Sequence, residues 1–516
     1  MSQQAVDLVG QGMLLRPHGT AVTPSLLDAM AQVRPGGVIL FADNIVSPSQ
    51  LHELVGTLQD HARTLGLPPL LVAIDQEGGI VSRLLDPWLT VPSQMAQGAT
   101  GDPATAKVCA GITGRQLRAM GITVNLAPVL DVNSDPRNPV IGTRAFGDDP
   151  ALVARFGIAA VEGYREAGVI ATAKHFPGHG DTAVDSHIGL PVVRKDRDQL
   201  DAVELAPFAA AIAAGVPAIM TSHILFPALD GAQPATISRR ILADLLRGEM
   251  GFAGVIMTDA LEMRAIANRF GLTESACLAK AAGADIVMPL GRIDAQVEVG
   301  TALADAARRG AIPAEEIVAT ARRLDELRMA FSLSHHLPPL SSPDSELAEE
   351  TLSVARRGVT VRDDRSLLPL ARETRLALID CSQAGWSAVE EVEVATARSD
   401  VLRDLLLAAF PRATALAVPS DPSAGEVAGA ISLAQGSDVV LFVTRDAFGQ
   451  KGPARLGRAL AAVGRSMIHA ALRGPYDTGM FPDAAATVQT YGDPPVSLRA
   501  LVAILVGTAV QGYGPP

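Results

Sequence analysis

The sequence predicts an α/β protein in which a TIM-like (β/α)8 barrel is followed by a smaller α/β sandwich domain. Between residue 37 and about residue 290, a short apolar or β-branched run, a polar turn and an Ala-rich segment with helical spacing recur. Several runs are continuously apolar, which is typical of parallel strands covered on both faces. With 516 residues the chain also exceeds one ordinary single-core domain.

Seven strands are predicted in the first part of the chain, each followed by a segment suited to a helix. Seven such units fit an eight-stranded barrel with one irregular strand better than an open doubly wound sheet. The clearest helices are expected at 151–167 and 200–214, the second closed by Gly215 in the usual C-cap position. The strands are expected at 37–41, 70–75, 124–131, 170–175, 218–224, 254–259 and 284–289.

The barrel domain is expected to cover residues 1–335 and to end with a long helix at 315–331. A segment rich in Ser, Pro and His follows, and we interpret residues 336–350 as a linker. The rest of the chain, 351–516, carries buried-strand candidates that alternate with Ala-rich helices, too few for a second barrel and suited to a sandwich. These strands are expected at 376–381, 415–419, 439–443, 467–472 and 487–491.

Charge and composition argue against several classes of partner. The 43 Lys and Arg against 55 Asp and Glu give a net charge of −12, which repels nucleic acid and anionic membranes. Aromatic residues make up only 4%, too few for single-strand stacking platforms. The most apolar stretch, 498–510, is shorter than the roughly 20 residues of a spanning helix. We therefore expect neither a nucleic-acid nor a membrane partner.

The start of the chain and the cysteines favour the cytoplasm. The opening residues lack a basic region, a long apolar region and a small-residue cleavage site, so no secretory signal is expected. The three cysteines, Cys109, Cys277 and Cys381, form no close pair, which suits a reducing compartment.

Polar residues end several of the predicted barrel strands. The active site of such a barrel lies at the carboxyl ends of its strands, so these residues are expected to share one pocket. Any one of them could instead be a structural cap or a salt-bridged rim residue. The residues are Asp75, Asp131, Lys174, His175, His223 and Asp259.

The densest group of polar residues is KHFPGHGDTAVDSH at 174–187. A metal site is one interpretation, but no HExxH-type helix is present and the Pro-Gly pair breaks helical geometry. A second is a sugar or phosphate pocket in which Asp185, two residues from His187, fixes its tautomer and favours its protonation. A loop salt bridge without a catalytic part is the third.

Two arginines follow neighbouring strands. Arg83 ends DQEGGIVSR, close to Asp75, and Arg144 lies in NPVIGTRAFGDD. Both could be rim residues, but with Lys174 they would give a pocket cationic and bidentate donors for hydroxyls or an anionic group.

Four motifs in this order, DQEGGIVSR, NLAPVLDVNSDPRNPVIGTRAFG, KHFPGHGDTAVDSH and GVIMTDALEM, resemble glycoside hydrolase family three, in its β-N-acetylhexosaminidase branch. The resemblance covers roughly residues 5–335. The segments ALRGPYDTGMFP and TYGDPPVSLRALVAILVG are similar, with weaker motifs, to the second domain of two-domain members. Gly474 stands where an Asn is common in that domain.

The resemblance implies a retaining double displacement without a metal or organic cofactor. Asp259 matches the nucleophile, and His187 matches the general acid/base with Asp185 as its partner. An imidazole with a pKa near neutrality can be cationic to protonate the leaving oxygen and neutral to deprotonate water. The sugar-binding residues implied are Asp75, Arg144, Lys174 and His175, with Arg83 and His223 supporting the wall.

The function expected from the resemblance is that of an exo-β-N-acetylglucosaminidase acting on peptidoglycan-derived glycosides or muropeptides in the cytoplasm. A phosphorylase that uses phosphate in place of water and a β-glucosidase of the same family stay open as alternatives. A non-catalytic sugar-binding protein is a third, which would have no need of Asp259, Asp185 and His187 together. The oligomeric state, monomer or homodimer, is left open.

Overall fold

Eight parallel strands form the first sheet, in the order in which they occur along the chain. A computed structural model describes residues 8–182, 189–340, 345–381 and 392–507. A parallel bridge between Met13 and Val287 joins the first strand to the last and closes the sheet into a barrel, as predicted. The strands are β1 Leu14–Leu15, β2 Gly37–Leu40, β3 Leu71–Ile74, β4 Val124–Asn125, β5 Ile170–Phe176, β6 Ala218–Thr221, β7 Val255–Ala260 and β8 Ile286–Met288.

The seven predicted barrel strands are β2 to β8, and the eighth is β1, whose two residues are too short for a recognisable pattern. The strand predicted at 124–131 is reduced to β4, because Pro128 has no N–H to donate to a ladder. Residues 127–130 still run beside β5, where the Leu130 amide donates to the Lys174 carbonyl at 2.6 Å.

Helices surround the barrel. The helix predicted at 200–214 is divided in two around Val203, because the ring of Pro207 would clash with the carbonyl four residues before it. A π-helix spans Arg240–Glu249. The α-helices of this part are Pro24–Val33, Pro48–Thr64, Gln94–Ala99, Ala104–Ala119, Pro150–Glu166, Arg197–Ala202, Leu205–Ala213, Arg264–Phe270, Leu272–Ala282, Ile293–Arg308 and Ala314–Ala330. Short 3-10 turns lie at Gly10–Gly12, Ala42–Asn44, Gly142–Arg144 and Ala235–Ile237.

Strand residues alternate between two cores. In β3, Leu71 and Ala73 point into the barrel and pack with inward residues of the other strands, whereas Val72 and Ile74 pack against the helices. This period of two follows from the pleat of a strand. A polar residue at the carboxyl end of a strand therefore lies at the mouth of the barrel if it comes two positions after an inward-facing apolar residue.

The second sheet has six strands in the order β11-β10-β12-β13-β14-β9, all parallel except β9, which pairs antiparallel with β14. Two apolar clusters, one on each face, pack the sheet against helices. The predicted sandwich is therefore confirmed. The strands are β9 Thr360–Arg362, β10 Leu376–Cys381, β11 Thr414–Val418, β12 Val439–Thr444, β13 Ser466–Ala471 and β14 Ala486–Gln489. The helices are Val392–Ala409, Ala424–Gln435, Lys451–Ala461 and Pro495–Val506, with a 3-10 helix at Pro475–Met480.

The helix Ser345–Arg357 connects the two parts and begins within the stretch expected to be a linker. Its Val354 packs with Cys109, Ile112 and Val91 of the barrel part. Among the residues described, no helix is both long and apolar enough to cross a membrane.

Candidate active site

Three charged residues at the mouth of the barrel continue the inward-facing series of their strands. Asp75 follows Ala73 of β3 by two positions, Lys174 lies two positions after Thr172 of β5, and Asp259 lies two after Met257 of β7. All three line one cavity of about 130 Å³. Its other lining residues are Ile39, Phe41, Glu77, Val81, Arg83, Leu126, Val140, Arg144, His175, His179, Met220, Ala260, Met263, Met288 and Leu290.

A buried carboxylate, that of Glu77, organises the cations of this cavity. The Arg144 guanidinium donates to it in bidentate fashion, from Nε to Oε2 at 2.9 Å and from Nη2 to Oε1 at 2.8 Å. The Lys174 ammonium lies 2.6 Å from the same Oε1 and donates to Asp75 Oδ1 at 2.7 Å. The Lys174, Arg144 and Glu77 side chains are at most 4% exposed. Lys174 thus bridges two carboxylates, and the position of each cation depends on Glu77.

The pKa values of this group reflect burial opposed by pairing. Burial by itself raises the pKa of Glu77, but Arg144 and Lys174 more than offset it and hold that pKa far below its usual range. Burial would lower the pKa of Arg144, yet Glu77 raises it well above normal. Burial likewise opposes the charged form of Lys174, but Asp75 and Glu77 raise its pKa. All three side chains are therefore charged at neutral pH.

A second buried carboxylate, that of Asp131, orients two histidines. Its Oδ2 lies 2.7 Å from His175 Nδ1, and its Oδ1 accepts the backbone amides of His175 at 3.2 Å and His179 at 2.6 Å. Opposing its burial, His175 and then His179 lower the pKa of Asp131. The other ring nitrogen of His175, Nε2, lies 3.4 Å from Arg144 Nη2, which can only donate. Asp131 therefore fixes the orientation of the His175 ring at the cavity wall.

His179 is a neutral residue of the cavity wall. Burial, and then the neighbouring His175, lower its pKa to about 4, and its Nδ1 lies 2.9 Å from Thr182 Oγ1. The Asn138 amide donates to the carbonyls of His179 at 2.8 Å and Gly180 at 3.0 Å. The loop after β4 thereby orders the segment that leads to residues 183–188.

Asp259 lies at the end of β7, where its Oδ1 accepts the backbone amide of Ala260 at 2.7 Å. The carbonyl of Ala260 lies 2.9 Å from Nε2 of His223, and His223 Nδ1 lies 2.7 Å from Thr236 Oγ1. His223 is 1% exposed and stands behind the strand end. It therefore fixes the backbone that carries Asp259.

Six of the residues predicted for the site line the one cavity, and His223 supports its wall from behind. The predicted general acid/base His187 and its partner Asp185 lie outside the described residues. Among the residues described, no group of three His, Cys, Asp or Glu could hold a metal ion. The six lining residues are Asp75, Arg83, Arg144, Lys174, His175 and Asp259.

Sequence reasoning missed Glu77 and left the role of Asp131 unassigned. Glu77 follows Asp75 by two positions, a spacing that places side chains on one side of an extended segment, so the signal was present. The apolar part of the wall, including Phe41, Met263 and Leu290, follows strands without a distinctive motif. These residues give the cavity a polar side, fit to bind hydroxyls, and an apolar side.

Comparison with known proteins supports the family resemblance that the sequence motifs indicate. The model of the glycosyl hydrolase family 3 N-terminal domain matches residues 15–327. Beta-hexosaminidase A of Pseudoalteromonas piscicida is 38% identical over 380 residues, which cover 68% of this chain and 63% of that relative. The chain thus spans less than two thirds of that relative's length. Beta-hexosaminidase of Nitrosomonas eutropha is 33% identical over 341 residues, 64% of this chain and 96% of that protein.

A solved structure extends the likeness to both domains. The glycoside hydrolase family 3 beta-N-acetylglucosaminidase from Paenibacillus sp. str. FPU-7 matches with a TM-score of 0.91 and 36% identity, covering 100% of this chain and 98% of that one. The resemblance inferred from the motifs and the expected enzyme class, a glycoside hydrolase, are confirmed. Because the family model matches more than half of its residues, this chain belongs to glycosyl hydrolase family 3.

Proposed function

We propose that the protein is a retaining exo-β-N-acetylglucosaminidase that hydrolyses terminal β-linked N-acetylhexosamine through a covalent glycosyl-enzyme. The observation that carries the proposal is the common cavity in which the Asp259 carboxylate meets a fixed set of charged donors and acceptors. The relatives named beta-hexosaminidase and the beta-N-acetylglucosaminidase structure support the same reaction.

The charged side of the cavity suits the hydroxyls of one terminal sugar. Asp75 accepts hydrogen bonds and Lys174 and Arg144 donate them, while His175, oriented by Asp131, lines the same wall. Glu77 holds both cations in place before substrate arrives, so little ordering is left to occur on binding. A small cavity at the mouth of a barrel favours the end of a glycan over its interior, which supports exo action.

In the proposed first step, Asp259 attacks the anomeric carbon while His187 protonates the leaving oxygen, so the glycosidic bond breaks as the enzyme ester forms. In the second step, His187 takes a proton from water, the water oxygen attacks the anomeric carbon, and Asp259 leaves as a carboxylate. Asp185 is proposed to orient the imidazole. These roles follow from the resemblance. The two described histidines of the cavity do not compete for the acid/base role, because His175 pairs with Asp131 and His179 pairs with Thr182.

The physiological substrate and compartment are part of the proposal. We infer peptidoglycan-derived glycosides as substrates and the cytoplasm as the compartment. The three cysteines are free, and Cys109 and Cys381 are buried, which suits a reducing environment. No metal or organic cofactor is assigned to the reaction.

The test is release of p-nitrophenol from its β-N-acetylglucosaminide in the presence of EDTA. We expect turnover by the wild type, no measurable turnover by Asp259→Asn, and unchanged turnover by Asp294→Asn, a control at an exposed ion pair. Absence of wild-type release, or wild-type turnover by Asp259→Asn, would refute the proposal. A 2-fluoro sugar should label Asp259 covalently.

His187→Ala tests the acid/base. We expect a loss of about 10²- to 10⁴-fold on natural glycosides and a smaller loss with p-nitrophenol, because a good leaving group needs less protonation. An equal loss on both substrates would contradict this role. Adding phosphate and looking for a sugar 1-phosphate distinguishes hydrolysis from phosphorolysis.

A further inference from the structure

The sandwich domain carries a buried charged cluster at the carboxyl ends of its parallel strands. Three arginines and two aspartates form it, and each of their side chains is at most 6% exposed. The members are Arg398, Arg445, Arg473, Asp380 and Asp493, and we call them the arginine cluster. It lies outside the candidate active site and takes no part in the proposed chemistry.

Asp493 is the centre of the arginine cluster. Its Oδ1 accepts from Arg398 Nη1 at 3.0 Å and from Arg473 Nε at 3.3 Å. Its Oδ2 accepts from Arg445 Nε at 2.8 Å and from Arg473 Nη2 at 3.3 Å. Arg445 Nη1 in turn donates to Asp380 Oδ1 at 2.6 Å. Burial would raise the pKa of Asp493, but the three guanidinium groups hold it well below its usual range.

A buried ionic cluster of this kind is poor evidence for stability, because removing charges from water costs nearly as much as their attraction returns. We explain the arginine cluster instead as a device that holds another part of the molecule in position. The location of the cluster in the sheet supports this explanation. In the sandwich, β10 is flanked by β11 and β12, so the point where the strand order reverses lies between β10 and β12, where Asp380 and Arg445 stand. Ligands of open α/β sheets bind in the crevice at such points.

Arg398 reaches out of this crevice into the barrel. Its Nη2 donates to the carbonyl oxygen of Gly79 at 3.2 Å, while its Nη1 is held by Asp493. A second contact lies beside it, where the hydroxyl of Ser93 donates to the carbonyl of Tyr491 at 2.5 Å. The crevice of the sandwich thus holds a backbone carbonyl of the barrel.

Gly79 belongs to the loop that carries Glu77. The amide of Gly79 donates to the Val91 carbonyl at 3.1 Å, and the amides of Glu77 and Gly78 donate to the Val81 carbonyl at 3.0 and 3.2 Å. Both glycines have positive φ, 89° at Gly78 and 60° at Gly79. A Cβ at Gly79 would lie 2.7 Å from the Cβ of Ser93, so the loop fits closely against its surroundings.

We propose that Arg398 is a positioning residue for the sugar site: held by Asp493, it fixes the carbonyl of Gly79 and through it the loop that places Glu77 between Arg144 and Lys174. Arg398 would thereby take part in substrate binding although it does not itself line the cavity. The inference rests on the proposed function for its kinetic readout, but its structural readout is independent of activity.

The test compares Arg398→Met with two matched variants of the full-length chain. Arg357→Met breaks another contact between the two parts, the half-exposed pair of Arg357 Nη2 and Asp102 Oδ2 at 2.8 Å. Arg403→Met removes an exposed arginine five residues further along the helix of Arg398. These controls separate the role of Arg398 from general docking of the domains and from loss of a surface charge.

For Arg398→Met we expect the KM for the p-nitrophenyl glycoside and the inhibition constant of N-acetylglucosamine to rise about five- to tenfold, with kcat changed less than twofold. Both controls should stay within twofold of the wild type. Arg398→Lys, which keeps the charge and a donor, should recover part of the loss. Unchanged KM and inhibition constant in Arg398→Met, or an equal rise in Arg357→Met, would overturn the inference.

Hydrogen exchange gives the readout that needs no turnover. Amides of residues 77–81 should exchange at least fivefold faster in Arg398→Met than in Arg357→Met. If the wild type fails to cleave the glycoside, the proposed function fails, while this exchange result still decides the positioning role. If Arg398→Met does not fold, Arg398→Gln replaces it in the same experiment. The Gln amide can stay beside Asp493, but the shorter side chain cannot also reach the carbonyl of Gly79. Equal exchange in the variants would refute the inference.

Discussion

Glu77→Gln is the most informative single substitution in the candidate active site. The change keeps the shape of the side chain and removes one negative charge from a place where Arg144 and Lys174 both depend on it. In the variant, Lys174 still pairs with Asp75, but Arg144 loses the carboxylate that it contacts in bidentate fashion. The NH2 group of the new Gln amide would also face the N–H groups of the Arg144 guanidinium. Breaking a buried pair in this way typically costs 3 to 5 kcal/mol, so we expect a loss of about 3 kcal/mol in the free energy of unfolding.

The stability loss is measured by urea denaturation, followed through tryptophan fluorescence, since Trp88 is buried in the main core of the barrel. Glu166→Gln is the control. Its carboxylate is 60% exposed and pairs with Lys107 at 2.8 Å, a surface contact that contributes little to stability. Activity should fall together with stability, by about 10²-fold in kcat/KM, because misplaced cations no longer match the sugar hydroxyls.

The pH dependence of the same variant gives an independent check. The pKa of Glu77 is lowered in the folded protein, so its contribution to stability is present above its unfolded pKa of about 4.3 and is lost as the pH falls toward the lower folded value. The wild type should therefore lose this contribution below about pH 4, and Glu77→Gln should not. A variant within 0.5 kcal/mol and within twofold in KM of the wild type would refute the assigned role of Glu77.

Three further outcomes follow from the structure. Asp131→Asn should cost about 3 kcal/mol in unfolding free energy and lower kcat/KM, because it weakens three hydrogen bonds to a buried carboxylate; normal KM and denaturation midpoint would count against this. Gly180→Ala should lower the melting temperature and abolish turnover, since its Cβ would lie 1.6 Å from the Val132 carbonyl oxygen, while Gly56→Ala, with 4.0 Å of room on a helix, should be neutral or stabilising. Burial raises the pKa of Asp477 from 3.8 to about 6. Between these two pH values the folded protein binds more protons at this group than the unfolded chain does, so the contribution of Asp477 to stability should fall by about 1.4 kcal/mol for each pH unit of increase. Asp477→Asn should remove this pH dependence.

Much of the fold could be read from the sequence because its signals are local. The apolar runs of β2, β3 and β5 to β8, and the strand β10, are visible as buried strands because both faces of each sheet are covered. Asp75, Lys174 and Asp259 could be assigned to one pocket from their place after such runs, because parallel strands in a barrel deliver their carboxyl ends to the same face.

Other features depend on atoms far apart in the sequence and were decided only by the tertiary structure. Glu77 became a structural centre because Arg144 and Lys174 come to it from two other strand ends, 67 and 97 residues away. The contact of Arg398 with Gly79 spans 319 residues and two domains, and no local pattern encodes it. Local periodicity determines which elements form and which way their side chains point, whereas pairing of buried charges depends on how those elements pack.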